Sequence, residues 1–211
     1  KIRIVDIGTT FAPTLSGSSA GATTFISRAT SVATVNGQGT ITGVGEGQGW
    51  VAATAPGFAP DSVYVIVPRN SAGPLLRGDL TNFNVQAGTT IVVNVILDTR
   101  STPIGGAELS VGYTTNPVVF QSISILGTGS PSPLITSVQQ GVFRVSLASG
   151  SPLSGQLSIL KFTFTAPITS GIELLSNRSG FLTFTLLDLV DPAGADLLPV
   201  STSTRIPVIV K

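Results

Sequence analysis

The sequence predicts an all-β protein built from two tandem β-sandwiches. Short segments of alternating apolar and polar residues recur along the 211 residues, and turn-forming residues separate them at intervals of about 8–12 residues. No segment repeats its apolar residues with the period of a helix. The stretch 67–80 holds two prolines and two glycines, which a regular strand ladder excludes. We therefore expect a first domain at residues 1–68, a linker at 69–75 and a second domain at 76–211.

The composition predicts a surface that carries few charges. Only 10% of the residues are charged, against about 25% in an average soluble protein, and the mean hydropathy is +0.46. No apolar run reaches the roughly 20 residues of a membrane helix. The 11 basic and 10 acidic residues are scattered singly, so no basic stripe is available to bind nucleic acid. We expect a neutral surface rich in Ser, Thr and Gly, part of it buried against other copies of the chain.

The residue types that are missing exclude several kinds of site. Without histidine or cysteine, the chain cannot build a Ser-His-Asp triad, a Cys-His pair, a disulfide or a Cys/His zinc site. A Ser-Lys site would have to use Lys161, because the other two lysines stand at the ends of the sequence. Nothing brings together two of the three glutamates, Glu46, Glu108 and Glu173, as a glycosidase would require. We expect no catalytic residues and no cofactor.

The first segment, Lys1–Ile7, alternates but changes phase at Val5. Ile2 and Ile4 share one face, and after the slip Val5 and Ile7 form the apolar pair. A bulge, or a strand that passes from one sheet to the other, accounts for such a slip. Two interpretations stay open: an ordinary first strand, or a strand that pairs outside its own domain.

Glycine turns join the remaining strands of the first half. Asn36-Gly37 predicts a tight turn because both residues tolerate positive φ, and Gly45-Glu46-Gly47 predicts another. The strands predicted around these turns are 23–26, 32–35, 40–44, 48–54 and 61–67.

One motif in the first half is specific. Residues 32–47 read Val-Ala-Thr-Val-Asn-Gly-Gln-Gly-Thr-Ile-Thr-Gly-Val-Gly-Glu-Gly, and a Thr/Ala strand and the alternating strand 63–67 follow. This order of turns and strands resembles the bacterial Ig-like group 2 domain over residues 1–68. Phe25 stands where that family often has a core tryptophan, whereas Trp50 departs from the pattern. The resemblance implies a small β-sandwich of surface and exported proteins that serves as a spacer or adhesion module, without catalysis.

The second half alternates over longer segments. In its first strand Ile91, Val93 and Val95 share one face, and in a later strand Ile159 and Leu160 are expected on opposite faces. Asn116-Pro117 predicts a turn, because the residue before proline avoids helical conformation. The strands predicted here are 91–98, 107–113, 118–125, 142–147, 157–165, 181–189 and 205–211.

Three of these segments carry a second resemblance. They are Val85-Gln-Ala-Gly-Thr-Thr-Ile-Val-Val-Asn-Val-Ile-Leu-Asp, the run from Gly106 to Phe120, and Leu157-Ser-Ile-Leu-Lys-Phe-Thr-Phe. Together they resemble a cohesin-type module over most of residues 80–211, although Gly88-Thr89 lacks the acidic residue of the family's Gly-Asp-Thr pattern. The resemblance implies a jelly-roll sandwich, related in fold to carbohydrate-binding modules, that binds a dockerin through one sheet face. We assign no residue of this chain to that face.

Three short motifs suggest sites but have simpler interpretations. Asp188, Asp191 and Asp196 form an oxygen-rich group that resembles a calcium loop, although Asp, Pro and Gly are also ordinary turn residues. Arg77-Gly78-Asp79 spells an integrin-type tripeptide, which we interpret as accidental. Asn177-Arg178-Ser179 is an N-glycosylation sequon, which matters only in a host that glycosylates exported proteins.

The leading functional hypothesis is a structural subunit of an extracellular fibre or surface layer. Copies would associate through low-charge faces and through terminal strands, with Pro207 marking an edge strand. The residues expected to make these strand contacts are Ile2, Ile4, Val5 and Ile7 at the start and Ile206, Val208 and Val210 at the end.

The alternative hypothesis is a recognition module of a surface protein that binds a dockerin-like partner or a polysaccharide. The aromatic content of 6% disfavours sugar stacking. Both hypotheses expect an extracellular or cell-surface location, with a signal peptide already removed because the sequence starts at Lys1 rather than Met.

Overall fold

The structure is a computed structural model, and it confirms the predicted all-β class. It describes residues 1–14, 23–69, 73–80, 84–126, 132–139, 141–167, 178–197 and 202–210. Within these ranges the chain forms no helix, and so none that is long and apolar enough to cross a membrane. The chain divides into two compact units, Lys1–Ser71 and Ala72–Lys211, called unit 1 and unit 2 below.

Unit 1 contains seven described strands in two sheets. One sheet has the order β1-β7-β6-β3, with β1 parallel to β7, and the other has the order β2-β5-β4. The strands are β1 (Ile2–Ile4), β2 (Thr10–Phe11), β3 (Thr24–Ser27), β4 (Ala33–Val35), β5 (Ile41–Gly43), β6 (Gly47–Thr54) and β7 (Asp61–Val67).

The change of phase near Val5 marks the point where the chain leaves one sheet for the other. Strand β1 pairs with β7, and the Val5 amide still donates to the Ile66 carbonyl of that strand at 3.0 Å. Two residues later, Ile7 forms a bridge with Gly43 in the second sheet. Only glycine fits at this crossing, since a Cβ on Gly43 would lie 2.5 Å from the Asp6 carbonyl oxygen.

The core of unit 1 lies between its two sheets and consists mainly of β-branched side chains. Such residues suit the pleated, half-buried surface of a strand. Phe11, Ala29 and Val35 pack against its edge. The buried members are Val5, Val32, Ala33, Ile41, Val51, Val63, Val65 and Val67.

Unit 2 is a larger sandwich with ten described strands. A four-stranded sheet has the order β12-β15-β10-β8, and a six-stranded sheet has the order β13-β14-β11-β16-β17-β9. The strands are β8 (Leu75–Gly78), β9 (Asn84–Val85), β10 (Thr90–Asp98), β11 (Ile104–Tyr113), β12 (Val119–Ile125), β13 (Ser132–Gln139), β14 (Val142–Leu153), β15 (Gln156–Thr165), β16 (Arg178–Val190) and β17 (Thr202–Val210).

The inner faces of both sheets follow the period of two that the sequence predicts, with one exception. Ile91, Val93 and Val95 are buried on one face of β10, as expected. Ile159 and Leu160 are adjacent in β15 and yet both are buried, because the pairing of β10 with β15 shifts between Val95 and Ile96. The expectation that these two residues lie on opposite faces missed this shift, which turns a neighbouring side chain toward the interior.

One side of the unit 2 sandwich is closed where β8 approaches β17. The buried Thr204 hydroxyl donates to the Leu76 carbonyl at 2.7 Å and so joins the two sheets at this corner. Gly78 permits close packing there, because a Cβ on it would lie 2.6 Å from the Phe184 ring. The opposite side carries the outermost strands β12 and β13 of the two sheets.

Candidate functional site

The most regular exposed surface of unit 2 is the outer face of its six-stranded sheet. Inward residues of the central strands are buried, and the outward residues between them are mostly small. We call this surface the small-residue face. Its described members are Glu108, Ser110 and Gly112 of β11, Val142, Arg144, Ser146 and Ala148 of β14, Phe181, Thr183, Thr185, Leu187 and Asp188 of β16, and Ser203 and Arg205 of β17.

Strand β11 runs along the middle of the small-residue face. Ser110 pairs with Arg144 on one side and with Thr185 on the other, and Gly112 lies between Val142 and Thr183 in the same way. Directly opposed side chains of neighbouring strands lie about 4.5–5.5 Å apart at Cβ. The hydroxyl and glycine positions of β11 and β16 therefore lie side by side, and Val142 and Arg144 of β14 border them.

The side chains of this patch are short and leave much of their hydrogen-bonding capacity unused. The Thr185 hydroxyl bonds to the Ser203 hydroxyl at 3.3 Å. The hydroxyls of Ser110, Ser146 and Thr183 make no hydrogen bond to any residue that the structure describes. Each hydroxyl can donate one hydrogen bond and accept two. The patch can therefore adapt to donors and acceptors of a partner.

Charges on the small-residue face are few and lie apart. Arg144 Nη1 lies 3.9 Å from Glu108 Oε1, and both side chains are largely exposed. Exposed pairs of this kind contribute about 0–1 kcal/mol to stability. Arg205 stacks its guanidinium 3.6 Å from the centre of the Phe181 ring, which removes that ring from the exposed surface.

The three aspartates proposed for calcium do not gather into one cluster in the structure. The Asp191 carboxylate accepts hydrogen bonds from the amides of Ala193 and Ala195 at 2.8 and 2.9 Å, so it builds the turn that follows β16. Asp188 accepts from the Leu189 amide. No group of three acidic side chains that could hold a metal ion occurs among the described residues, which include Asp196. These contacts support the turn interpretation, and calcium binding stays an untested prediction.

The Arg77-Gly78-Asp79 tripeptide is not displayed on a loop. Gly78 is buried in β8. Both carboxylate oxygens of Asp79 accept hydrogen bonds from Asn94, one from its backbone N–H at 2.8 Å and one from its side-chain Nδ2 at 2.7 Å. Arg77 donates to Gln156 at 3.3 Å. These contacts support the accidental interpretation. The sequon residue Asn177 lies outside the described residues.

The terminal segments have partners within their own units. Ile2 and Val5 are buried, Ile4 is partly buried, and Ile7 is exposed. The late residues Ile206, Val208 and Val210 are all buried in β17.

Strand β17 pairs with β16 along its whole length. On its other side β9 pairs only with Ile209 and Val210, so Pro207 lies where β17 has one described strand neighbour. Pairing within the unit accounts for the apolar pattern of both terminal segments, and exchange between copies stays a prediction.

Exposed aromatic rings that could stack on sugars are scarce in the described part of the chain. Trp50 packs on Tyr64 with ring centroids 4.7 Å apart. Tyr113 belongs to a cluster with Phe143 and Phe164 at 5.8 and 5.3 Å. Among the described Phe, Tyr and Trp side chains, Phe58, in a turn of unit 1, is the one that is half exposed. One exposed ring is too few for the aromatic surface on which a polysaccharide would stack.

Unit 1 contains a cavity of about 160 Å³. Burial lowers the pKa of the α-amino group of Lys1 at its wall, and the Asp61 carboxylate acts in the opposite direction. The cavity is smaller than the roughly 300–1,000 Å³ typical of ligand pockets, so we assign it no ligand. Its lining includes Arg3, Phe11, Phe25, Val51 and Asp61.

Comparisons with known proteins find the fold but no family. No family model and no curated protein matches the chain, so the Ig-like group 2 resemblance of residues 1–68 stays a prediction.

Several solved structures are similar to this chain, and the three that follow are cohesin modules. A non-cellulosomal cohesin from Archaeoglobus fulgidus has a TM-score of 0.50 and 15% identity over 66% of this chain and 92% of its own. A cohesin from a Clostridium perfringens family 33 glycoside hydrolase has a TM-score of 0.46 and 16% identity over 66% and 97%. The sixth cohesin of Acetivibrio cellulolyticus scaffoldin B, in complex with a Cel5 dockerin, has a TM-score of 0.47 and 18% identity over 66% and 98%. The cohesin-like β-sandwich expected for the second half is therefore supported.

The sequence reasoning assigned no residue to the small-residue face. A signal was present in the outward positions of the alternating strands, where Ser, Thr and Gly recur in β11, β14 and β16. Reading it required the strand order, which places three segments that are distant in sequence side by side.

Proposed function

We propose that the chain is a non-catalytic recognition protein whose unit 2 binds a small folded protein domain, of the dockerin kind, through the small-residue face. The observation that carries this proposal is a wide antiparallel face of mostly short side chains, with a weak ion pair between Glu108 and Arg144. The cohesin-like fold supports it at the level of architecture. The scaffoldin B cohesin named above was solved with a dockerin, and it supplies the class of partner to test.

The dimensions of the face suit a protein partner better than a small ligand. Four strands at about 4.8 Å spacing and eight residues at about 3.3 Å rise cover roughly 19 by 26 Å, or about 500 Å². Stable complexes bury about 800 Å² on each partner, so the central strands supply much of such a footprint. The outer strands β13 and β9 extend the same sheet.

The chemistry of the face predicts the character of its partner. Hydroxyl groups are the commonest polar groups, the exposed Val142 and Leu187 add apolar contacts, and the charges are of both signs. The charged residues are Glu108, Asp188, Arg144 and Arg205. A partner with small apolar and amide-rich side chains would make close contact. The charged groups of the partner would have to lie opposite charges of the other sign on the face. Like charges placed opposite each other repel and so exclude partners with the wrong charge pattern.

Other classes of function receive less support. Polysaccharide binding by stacking needs exposed rings, and the described rings are mostly engaged with each other. Catalysis has no histidine or cysteine to use, and the described carboxylates do not gather. We place the protein outside the cell because few charges, no oxidisable sulfur side chains and a cohesin-like fold suit an exported module.

The test is a binding assay of the full chain against a panel of dockerin modules, with and without calcium. We expect saturable binding to at least one module. The Ser146→Arg variant projects a long side chain from the middle of the face, where the opposed Glu108 can pair with it, so the fold is kept. We expect this variant to weaken binding at least about tenfold, because it holds the partner away from the patch.

The matched control is Ser158→Arg, which adds the same side chain to an exposed position of β15 in the other sheet. Its affinity should equal that of the wild-type chain. Equal losses in both variants would contradict recognition by the small-residue face. An absence of binding to every module in both buffers would contradict the dockerin-like partner.

Self-association is the second candidate, and the sparse charge favours it. With 10% charged residues, the surface lacks the repulsion that keeps monomers apart. A structural subunit of a fibre or layer would use this property, and it does not conflict with recognition by the face. Sedimentation of the purified chain over a wide concentration range tests it, and a monomer at every concentration would contradict it.

A further inference from the structure

We propose that strand β12 is a homotypic docking edge, at which two copies of the chain pair their β12 strands antiparallel about a two-fold axis. The proposal rests on the self-association candidate and names its contact. Strand β12 ends the four-stranded sheet and pairs there only with β15 in the described ladder. The main evidence is that β12 lacks the charges, prolines, short length or coverage that block strand pairing at the other sheet edges.

Sheet edges are usually protected by charges, prolines, short length or coverage. In unit 1, the edge strands β1, β2, β3 and β4 are two to four residues long, and β1 also contains Arg3. In unit 2, β13 contains Pro133, β9 has two residues, and β8 is joined to β17 through Thr204. Strand β12 reads Val-Phe-Gln-Ser-Ile-Ser-Ile over seven residues, without a charge or a proline.

An irregularity in the pairing with β15 protects the first part of β12, but not the rest of the strand. The pairing with β15 shifts between Phe120 and Ser122, and Gln121 turns its side chain to Thr165 at 3.0 Å. From Ser122 onward the ladder is regular and continues through the Leu126 amide, which donates to the Ile159 carbonyl at 3.0 Å. The available edge therefore starts at Ser122.

The backbone direction along this edge follows from the Leu126 hydrogen bond. In an antiparallel pair, alternate residues direct their N–H and C=O groups to the neighbouring strand. Because Leu126 faces β15, so do Ser124 and Ser122. Ile123 and Ile125 therefore direct their N–H and C=O groups outward, where the described part of the chain provides no strand to accept them.

A two-fold axis through Ser124 satisfies these outward groups without mismatch. It places Ile123 of one copy opposite Ile125 of the other, so that each pair exchanges two hydrogen bonds. Ser124 then faces its own counterpart on the outer side of the sheet. Opposed residues in an antiparallel pair lie on the same face, so apolar side chains meet apolar ones and hydroxyls meet hydroxyls. The strand is self-complementary.

Charge also permits this pairing. Strand β12 carries no ionisable side chain, so no like charges meet across the axis. The nearest charge in the ladder is Lys161, which pairs with Ser124 from within the same chain. With strands about 4.8 Å apart, the two lysines would be separated by about 14 Å, beyond the screening length of about 8 Å at physiological salt.

Pairing would also cover apolar side chains at the open side of the sandwich. Ile125 is 50% exposed although it pairs with the buried Leu160, and Ile123 and Phe120 are only partly buried. A strand added beside β12 would bury part of these surfaces. A single strand pair is smaller than the roughly 1,200–2,000 Å² of a stable interface, so we expect a weak dimer, with a dissociation constant of about 10–1,000 μM.

The test is sedimentation velocity of the full chain from about 1 μM to 2 mM, a range that spans the expected constant. The wild-type chain should shift from monomer to dimer or higher species. Ser124→Glu should weaken the association about fivefold or more, because two carboxylates would meet on the axis. Within one chain the same carboxylate lies beside Lys161, which protects the fold.

Two further variants separate edge pairing from other contacts. Ile125→Pro removes an outward N–H that no described strand accepts, so dimers should be lost while the melting transition is retained. A mixture of Ser124→Glu and Ser124→Lys chains should recover association, because opposite charges then meet. Ser158→Glu, on the outer face of β15, should associate like the wild-type chain.

The outcomes distinguish the β12 contact from self-association in general. A wild-type chain that remains a monomer at 2 mM would overturn both. A wild-type chain that associates, with Ser124→Glu and Ile125→Pro associating equally well, would overturn the β12 contact and leave self-association in place through another surface.

Discussion

The two sheets of unit 2 have similar inner faces and different outer faces. On the four-stranded sheet, long polar side chains bind one another: Arg77 to Gln156, Gln156 to Asp98, and Asp79 to Asn94. On the six-stranded sheet, the hydroxyls of Ser110, Ser146 and Thr183 make no hydrogen bond to any described residue, so their hydrogen-bonding capacity is unused. A partner of the first face would have to break existing hydrogen bonds, whereas a partner of the second would add new ones. Because of this difference, we expect a partner to bind the second face rather than the first.

The largest expected effect separates the inside of the six-stranded sheet from its outside. Leu109 is fully buried in β11, and the next residue, Ser110, points outward. Leu109→Ala should lower the free energy of unfolding by about 2–5 kcal/mol, because it leaves a cavity in the core. Ser110→Ala should change it by no more than about 0.5 kcal/mol. Urea titration of both variants checks this, and equal effects would mean that the face is not exposed as described.

A smaller effect should separate the two outer faces. Asn94→Ala removes the side-chain hydrogen bond to the Asp79 carboxylate at 2.7 Å and should destabilise the chain by about 1–2 kcal/mol. Ser146→Ala on the small-residue face should stay within about 0.5 kcal/mol, because its hydroxyl has no described partner. Thermal unfolding of the two variants provides the comparison. A larger loss for Ser146→Ala would reverse the contrast between the faces.

The smallest effect concerns the ion pair between Glu108 and Arg144 on the small-residue face. Glu108→Gln should change the free energy of unfolding by less than about 0.5 kcal/mol, because the pair with Arg144 is exposed and long at 3.9 Å. Melting curves at low and high salt check this prediction. The same variant should change the affinity for a bound partner more than it changes stability. A strongly salt-dependent melting temperature that the variant abolishes would show that the pair is structural.

Local patterns were enough to predict the elements but not their neighbours. The alternation of Ile91, Val93 and Val95 follows from sterics within one strand, and the structure places all three in the core. The shift in pairing at Val95 depends on β15, some sixty residues later, and no local pattern announces it. Ile159 was therefore assigned to the wrong face.

The candidate site shows the same limit more strongly. The hydroxyl residues of β11, β14 and β16 are ordinary outward residues when each strand is considered alone. They become a patch only because β11 lies between the other two. Likewise, the uncharged pattern of β12 gains meaning only once that strand is found at the end of its sheet. The aspartates 188, 191 and 196 are close in sequence, but Asp191 and Asp188 each accept hydrogen bonds from nearby backbone amides, and the three do not form a cluster.

The most direct test of the central claim uses the absence of cysteine from the chain. Ser146→Cys and Ser158→Cys each introduce one thiol, the first on the small-residue face and the second on the outer face of the other sheet. Maleimide labelling rates would be measured for both variants, alone and in complex with the dockerin module that binds most tightly. We predict that the partner slows labelling of the Ser146→Cys variant at least about tenfold and leaves the Ser158→Cys variant unchanged. Protection of the Ser158→Cys variant alone would contradict recognition through the small-residue face.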